Sequence, residues 1–399
     1  MKHNFEKIIN RRNTYSYKWD QSDKLFGDQD ILPMWVADMD FSAPPAVIEA
    51  LRKRVDHGVY GYTIRPESYY NAITSWMSKR HHWSIKKEWI TTSPGVVTAL
   101  SLLVTQLTKP GEKVIIQTPV YPPFHGVVTR NGRTLVENPL LLKDNYYSID
   151  FIGLEELMMD PDTKVMLLCN PHNPVGRVWK KEELMKIGEL SLKHGVFIIS
   201  DEIHCDLIFK GFQHIPFASL SDEFAKNSIT CVAPTKTFNI AGIHASNVII
   251  PDASNRKQYN ERLSTLSLHM ESCFGLAAVE AAYTEGEEWL DELMDYLYSN
   301  LEYAMEHFTE HLPEISVIKP EGTYLVWLDC RNLGLNGKQL KELMYQHAKV
   351  AFNEGSTFGS NGEGFLRMNI ACPRSTLEEG LNKFEKAVRI FLNQAKNQQ

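Results

Sequence analysis

Five short apolar runs, rich in β-branched residues and each ending in polar residues or proline, constrain this chain more than any other feature. They are KVIIQTP (113–119), KVMLLCN (164–170), VFIISDE (196–202), SITCVAP (228–234) and SNVIIP (246–251). An unbroken apolar run is what a strand covered on both faces requires. Helical stretches lie between them. KKEELMKIGELSLKHG (180–195), for example, closes on a lysine, a histidine and a glycine stop. Strands and helices alternating between roughly residues 85 and 285 predict an α/β fold with a mostly parallel sheet flanked by helices.

The tail has a different pattern. Residues 285–311 read as one long amphipathic helix. ISVIKPEGTYLVWLDC (315–330), a helix near 336–347, FLRMNIA (365–371) and a last helix from about 375 follow. This is the pattern of a small α+β unit. The N-terminal segment, with ILPMWVADMDF (31–41), has no sheet of its own and is expected to pack against that tail. The division expected is a large domain over 46–285 and a small domain built from 1–45 and 286–399.

Composition excludes several classes. With 42 Lys and Arg against 49 Asp and Glu, the net charge is -7, and no basic run suggests nucleic acid. No apolar run approaches membrane-spanning length, and the N-terminus lacks the apolar core of a secretory signal. The six cysteines (169, 205, 231, 273, 330 and 372) show no paired spacing, which predicts buried free thiols in a reducing cytoplasm. There is no G-x-G-x-x-G, no P-loop and no G-x-S-x-G. His307, Glu310 and His311 match H-x-x-E-H, but they fall at the polar end of the long helix. A solvated helix end is expected there, and no metal centre.

Polar groups recur where the apolar runs end, which is where open α/β sheets bind ligands. Asp201 follows VFIIS. Asn173 sits in CNPHNPVGR, a loop stiffened by two Asn-Pro pairs and a glycine. Ser93, Pro94 and Gly95 open a helix whose free N–H groups suit a phosphate. Tyr121 lies between prolines and can stack on a planar ring. Lys236, in APTKTFNIAG, stands at the mouth of the buried run SITCV, where desolvation lowers a lysine pKa and favours a Schiff base. Taken singly, each has a structural reading: a helix cap, a turn, an ordinary helix start, a core aromatic. A phosphate cradle, a stacking ring, an asparagine, an acid and a lysine together describe pyridoxal 5'-phosphate, with the acid on the pyridine nitrogen.

These motifs resemble the aspartate-aminotransferase superfamily, fold type I of the pyridoxal-phosphate enzymes. LPMWVADMDF, HGVYGYT, SPGVVTAL, CNPHNPVGR, SDEIHCDL and APTKTFNIAG look more narrowly like the bacterial cystathionine β-lyase or C–S lyase branch. The resemblance implies a sheet of the seven-stranded type and a homodimer with a shared active site. It also implies that Lys236 binds the cofactor covalently and Asp201 its ring nitrogen. Asn173 would bind the ring hydroxyl and Tyr121 would stack on the ring. Gly95, Val96 and Thr235 would hold the phosphate, and Tyr62 would reach the phosphate of the neighbouring subunit. Arg367 would hold the substrate α-carboxylate. On strand alternation Arg367 shares a face with Phe365 and Asn369, and a solvated arginine fits that pattern equally well.

The chain departs from the broad superfamily at three places. Ala233 replaces a frequent serine, His204 a tyrosine, and His244 an arginine that grips phosphate. His204 is the better candidate to touch the ring. The activity implied is α,β-elimination from an S-substituted cysteine, giving a thiol, pyruvate and ammonia. An aminotransferase, possessing the same first proton removal and with or without a second regulatory role, is the alternative.

Overall fold

The computed structural model describes residues 2–396. Seven strands form the central sheet: β1 (Ile90–Ser93), β2 (Lys113–Ile116), β3 (Thr134–Glu137), β4 (Thr163–Cys169), β5 (Phe197–Asp201), β6 (Ser228–Val232) and β7 (Ser246–Ile249). Their spatial order is β1-β7-β6-β5-β4-β2-β3. β3, β2, β4, β5 and β6 run parallel, while β7 is antiparallel to both of its neighbours. The five apolar runs of the sequence supply β2, β4, β5, β6 and β7. β1 and β3 complete the sheet, although ITTS and TLVE are too short and polar to stand out by pattern.

The helices cover the sheet for the expected reason. Lys181–His194 buries Leu184, Ile187 and Leu190 and turns its lysines and glutamates outward. It stops at Gly195, whose φ of +69° is the left-handed conformation that glycine adopts without cost. All six cysteines are free and buried.

The tail forms a four-stranded antiparallel sheet from β8 (Ser316–Ile318), β9 (Leu325–Asp329), β10 (Asn353–Glu354) and β11 (Phe365–Asn369), in the order β8-β9-β11-β10. In the N-terminal segment, Leu32–Pro33 pairs in parallel with Val350–Ala351. Every residue of β11 is buried, so the solvated reading of Arg367 fails. His307 also departs from expectation. It is buried at 6 %, and its Nε2 lies 3.2 Å from Glu385 on the last helix, Arg374–Lys396. Burial lowers the imidazole pKa, so His307 is a neutral ring packed between two helices, while Glu310 and His311 stay exposed as a solvated helix end requires.

Parallel β2, β4, β5 and β6 all end on one side of the sheet. Register places Asp201 opposite Cys169 on β4 and Cys231 on β6, so the three strand ends are level. The loops beyond them form the candidate site.

Candidate active site

Lys236, Asp201, Asn173, Tyr121, Gly95, Val96, Thr235, His204 and His244 line one cavity of about 320 Å³. Chain folding explains how such distant residues meet. The loop after β4 is closed by His172 N–H to the Arg177 carbonyl at 2.8 Å and Gly176 N–H to the His172 carbonyl at 2.8 Å. The His172 Nε2 donates across to the Pro119 carbonyl at 2.8 Å, and Tyr121 N–H donates to the Asn173 carbonyl at 3.0 Å. These bonds lock the loops after β2 and β4 together and fix Tyr121 beside Asn173. Gly176 is required twice over. Its φ is +72°, and a Cβ there would meet Pro320 at 2.5 Å.

Gly95 is the N-cap of the helix Val96–Leu107, and its backbone is extended, with φ 178°. The first N–H groups of that helix have no carbonyl partner within it, and they face the cavity. A Cβ at Gly95 would meet nothing within 4 Å, so the space there is open for a ligand and not filled by the protein.

Lys236 lies in the short helix Pro234–Thr237, just past β6. Its Nζ donates to the Ala37 carbonyl at 2.6 Å. Burial lowers its pKa to about 8; Arg367 acts in the same direction, while Asp38 and Asp201 oppose it. A lysine so placed is neutral in a useful fraction near neutrality, which nucleophilic attack and proton transfer both need. Asp201 is also buried. Burial pushes its carboxyl up to about 7, with Glu202 adding to the rise and the Ile203 N–H and Lys236 opposing it. His204 is driven the other way, to about 3, by burial and then by Lys236 and Arg367. Its ring is therefore neutral, and its Nδ1 is buried without a partner.

Arg367 does not line this cavity. It stands behind Asn173, 4 % exposed, with Nη1 donating to Asn173 Oδ1 at 2.9 Å. Nη2 donates to the Trp35 carbonyl at 3.0 Å and to Asn353 Oδ1 at 2.6 Å. All three acceptors are neutral, Nε has no partner, and burial lowers the guanidinium pKa to about 10. A buried cation among neutral oxygens is incompletely compensated, and an incoming carboxylate would complete it.

Tyr62 is 95 % exposed and stays outside this cavity. It belongs to an exposed stretch, 59–65, that also shows Val59, Tyr60 and Ile64 to solvent.

Sequence reasoning missed one wall. The carbonyl of Ala37 accepts from both Lys236 and Tyr324 Oη (2.9 Å), and that of Trp35 holds Arg367. The run LPMWVADMDF supplies these contacts through its backbone, so its side chains gave no sign of them.

The raised Asp201 carries a stability prediction. Between about pH 4 and pH 7 the unfolded chain releases this proton and the folded, ligand-free chain keeps it, so stability falls as pH rises through that window. Asp201→Asn removes the effect. Its stability relative to wild type is expected to rise from pH 4 to pH 7, on the order of a few kcal/mol. Denaturant melts at both pH values check this, and a flat difference would contradict a buried, proton-retaining acid.

The donor set fits pyridoxal phosphate. A neutral-capable lysine, a buried acid suited to a ring nitrogen, an orphaned His204 nitrogen and an open helix start surround one cavity. The comparisons with known proteins agree. The profile described as aminotransferase class I and II matches residues 29–384. Cystathionine beta-lyase PatB of Bacillus subtilis (strain 168) is 48% identical over 385 residues, covering 96% of this chain and 100% of that one. Protein MalY of Escherichia coli (strain K12) is 36% identical over 387 residues, covering 96% and 98%. Among solved structures, cystalysin from Treponema denticola, which contains pyridoxal 5'-phosphate, superposes with a TM-score of 0.95 at 41% identity, covering 98% and 99%. A pyridoxal-phosphate-bound C-S lyase from Staphylococcus hominis gives 0.91 at 35%, covering 97% and 98%. With strand order, cavity and similarity in accord, the chain belongs to the aminotransferase class I and II family.

Proposed function

We propose that this protein is a pyridoxal-phosphate-dependent carbon–sulfur lyase of the cystathionine β-lyase type. The reaction is R–S–CH₂–CH(NH₃⁺)–COO⁻ plus water giving R–SH, pyruvate and ammonium. One observation carries the reading: a lysine of lowered pKa and a buried acid share a cavity backed by a buried guanidinium with no anionic partner. The activities named for PatB, a cystathionine beta-lyase, and for the Staphylococcus hominis C-S lyase support elimination over transamination.

Pyridoxal phosphate, when bound, supplies the electron sink that lets a proton leave the substrate α-carbon. Lys236 would hold it covalently at Nζ. Asp201 would bind at the ring nitrogen, and its raised pKa suits it to sharing a proton there. Asn173, with Oδ1 already committed to Arg367, has its amide N–H groups for the ring hydroxyl. His204 has a free Nδ1 beside it. Tyr121 would stack on the ring, and Gly95, Val96 and Thr235 would take the phosphate. Arg367 binds the substrate carboxylate and so sets which bond at Cα faces Lys236. Lys236 Nζ would also be the general base that takes the α-proton.

The exposed stretch 59–65 suits burial against a second copy, and Tyr62 would there reach the second copy's phosphate. We read the protein as a cytoplasmic homodimer, with a large domain over 46–285 and a small one from 1–45 and 286–399. The separate seven-stranded and four-stranded sheets support that division. Among the described residues, no helix is long and apolar enough to cross a membrane.

L-cystathionine offered alone is the test. Pyruvate is expected without any added keto acid. No pyruvate, together with amino transfer that depends on a keto acid, would replace the lyase by an aminotransferase.

A further inference from the structure

We infer that Asp206 is a positioning residue for Lys236, acting through the Thr237 hydroxyl and held in place by Trp76 and His81. This rests on the role proposed above for Lys236. Thr237 is the residue after Lys236 and ends the same short helix. Its Oγ1 donates to Asp206 Oδ2 at 2.8 Å. The other oxygen, Oδ1, accepts from Trp76 Nε1 at 2.9 Å and faces His81 Nε2 at 2.8 Å. All four residues are buried.

The need for such an anchor follows from the size of the lysine's helix. Pro234–Thr237 is four residues long, a single turn. Its exit is tied by Phe238 N–H to the Pro234 carbonyl at 2.9 Å and Ile240 N–H to the Thr235 carbonyl at 3.0 Å. So short a helix has little rigidity of its own. A charge-assisted bond from its last side chain to a fixed carboxylate supplies what the backbone lacks.

The carboxylate is fixed because Trp76 and His81 sit on one longer helix, Glu67–His81. Asp206 therefore joins three segments remote in sequence: that helix, the loop after β5 and the Lys236 turn. The loop after β5 follows directly on Asp201 and carries His204. A shift at Asp206 would move the acid and the lysine relative to each other.

His81, Cys205 and Asp206 also bring three metal-ligating atoms within 4.8 Å of one another. Both Asp206 oxygens already accept from N–H or O–H donors, which fits an anchor better than a ligand set. A second cavity, of about 300 Å³, reaches this cluster past Arg80, His214 and Glu287.

Asp206→Asn would place an amide among three donors and is liable to unfold the chain, so Thr237→Val is the primary variant, with Thr237→Ser as rescue. Both are studied as dimers loaded with pyridoxal phosphate, by two readouts. The first is visible circular dichroism, which reports the geometry of the chromophore on Lys236. The second is steady-state turnover of L-cystathionine. Thr237→Val is expected to keep the visible absorbance, lose much of the visible ellipticity and fall in kcat by about 10- to 100-fold, with KM near wild type. Thr237→Ser keeps the hydroxyl and is expected to restore both signals. Wild-type ellipticity and kcat in Thr237→Val, or no recovery in Thr237→Ser, would overturn the inference. A wild-type protein without visible absorbance after loading would instead overturn the role of Lys236 itself.

Discussion

Lys236→Ala is expected to abolish both the visible absorbance of the loaded protein and its elimination activity, the latter by at least about 10⁴-fold. The effect is this large because one side chain has two tasks: tethering the cofactor and moving the α-proton. The fold should not suffer. Burial lowers the lysine pKa from 10.5 to about 8, so below about pH 8 the folded, ligand-free chain holds the charged form at a cost the unfolded chain does not bear, and that cost fades as pH rises toward 10.5. Removing the side chain lifts that cost. It takes one donor from the Ala37 carbonyl, but Tyr324 still donates there. The melting temperature of the ligand-free variant is therefore expected to match or exceed wild type. A variant that melts normally yet eliminates within tenfold of the wild-type rate would remove Lys236 from the chemistry.

What was legible in the sequence, and what was not, follows from how each feature is encoded. β4, β5 and β6 could be read because burial on both faces leaves an unbroken apolar run. β1 could not, because Thr91, Thr92 and Ser93 are buried polar residues whose partners lie elsewhere in the chain: Thr91 bonds Asn260, and Arg65 bonds Thr92. Lys236, Asp201 and Asn173 were conspicuous for a related reason. Polar side chains at the ends of apolar strands are anomalous unless something compensates them. Arg367 was ambiguous, since alternation along β11 separates two faces but cannot say that both are covered. Covering comes from the rest of the small unit and from the segment 35–37, which only the folded chain brings near. The Asp206 hub was the least legible. Its acid is visible in SDEIHCDL, but its donors Trp76 and His81 lie more than a hundred residues away and are ordinary helix residues by pattern. His307 shows the opposite case: Glu310 and His311 are exposed as the polar helix end suggested, but helix-to-helix packing buries His307 beside Glu385.

Arg367→Ala is expected to raise KM for L-cystathionine and lower kcat/KM by about 10²- to 10³-fold, while the visible absorbance on Lys236 persists. The size follows from the geometry. The guanidinium is buried, and its bonds run to Asn173, Trp35 and Asn353, none of them an anion. A carboxylate bound there gains a charge-assisted bond in a site already stripped of water, a contribution of about 3 kcal/mol or more. Arg367→Lys separates charge from shape. The ammonium restores the charge but not the planar fork that reaches Asn173 and substrate together, so only part of the loss should return. An S-substituted amine lacking the α-carboxylate distinguishes substrate binding from general damage. Wild type should strongly prefer the amino acid over this amine, and Arg367→Ala should nearly erase that preference. Collateral harm to Asn173 would depress both substrates alike and leave the ratio unchanged, as would an arginine that serves only to hold Trp35 and Asn353.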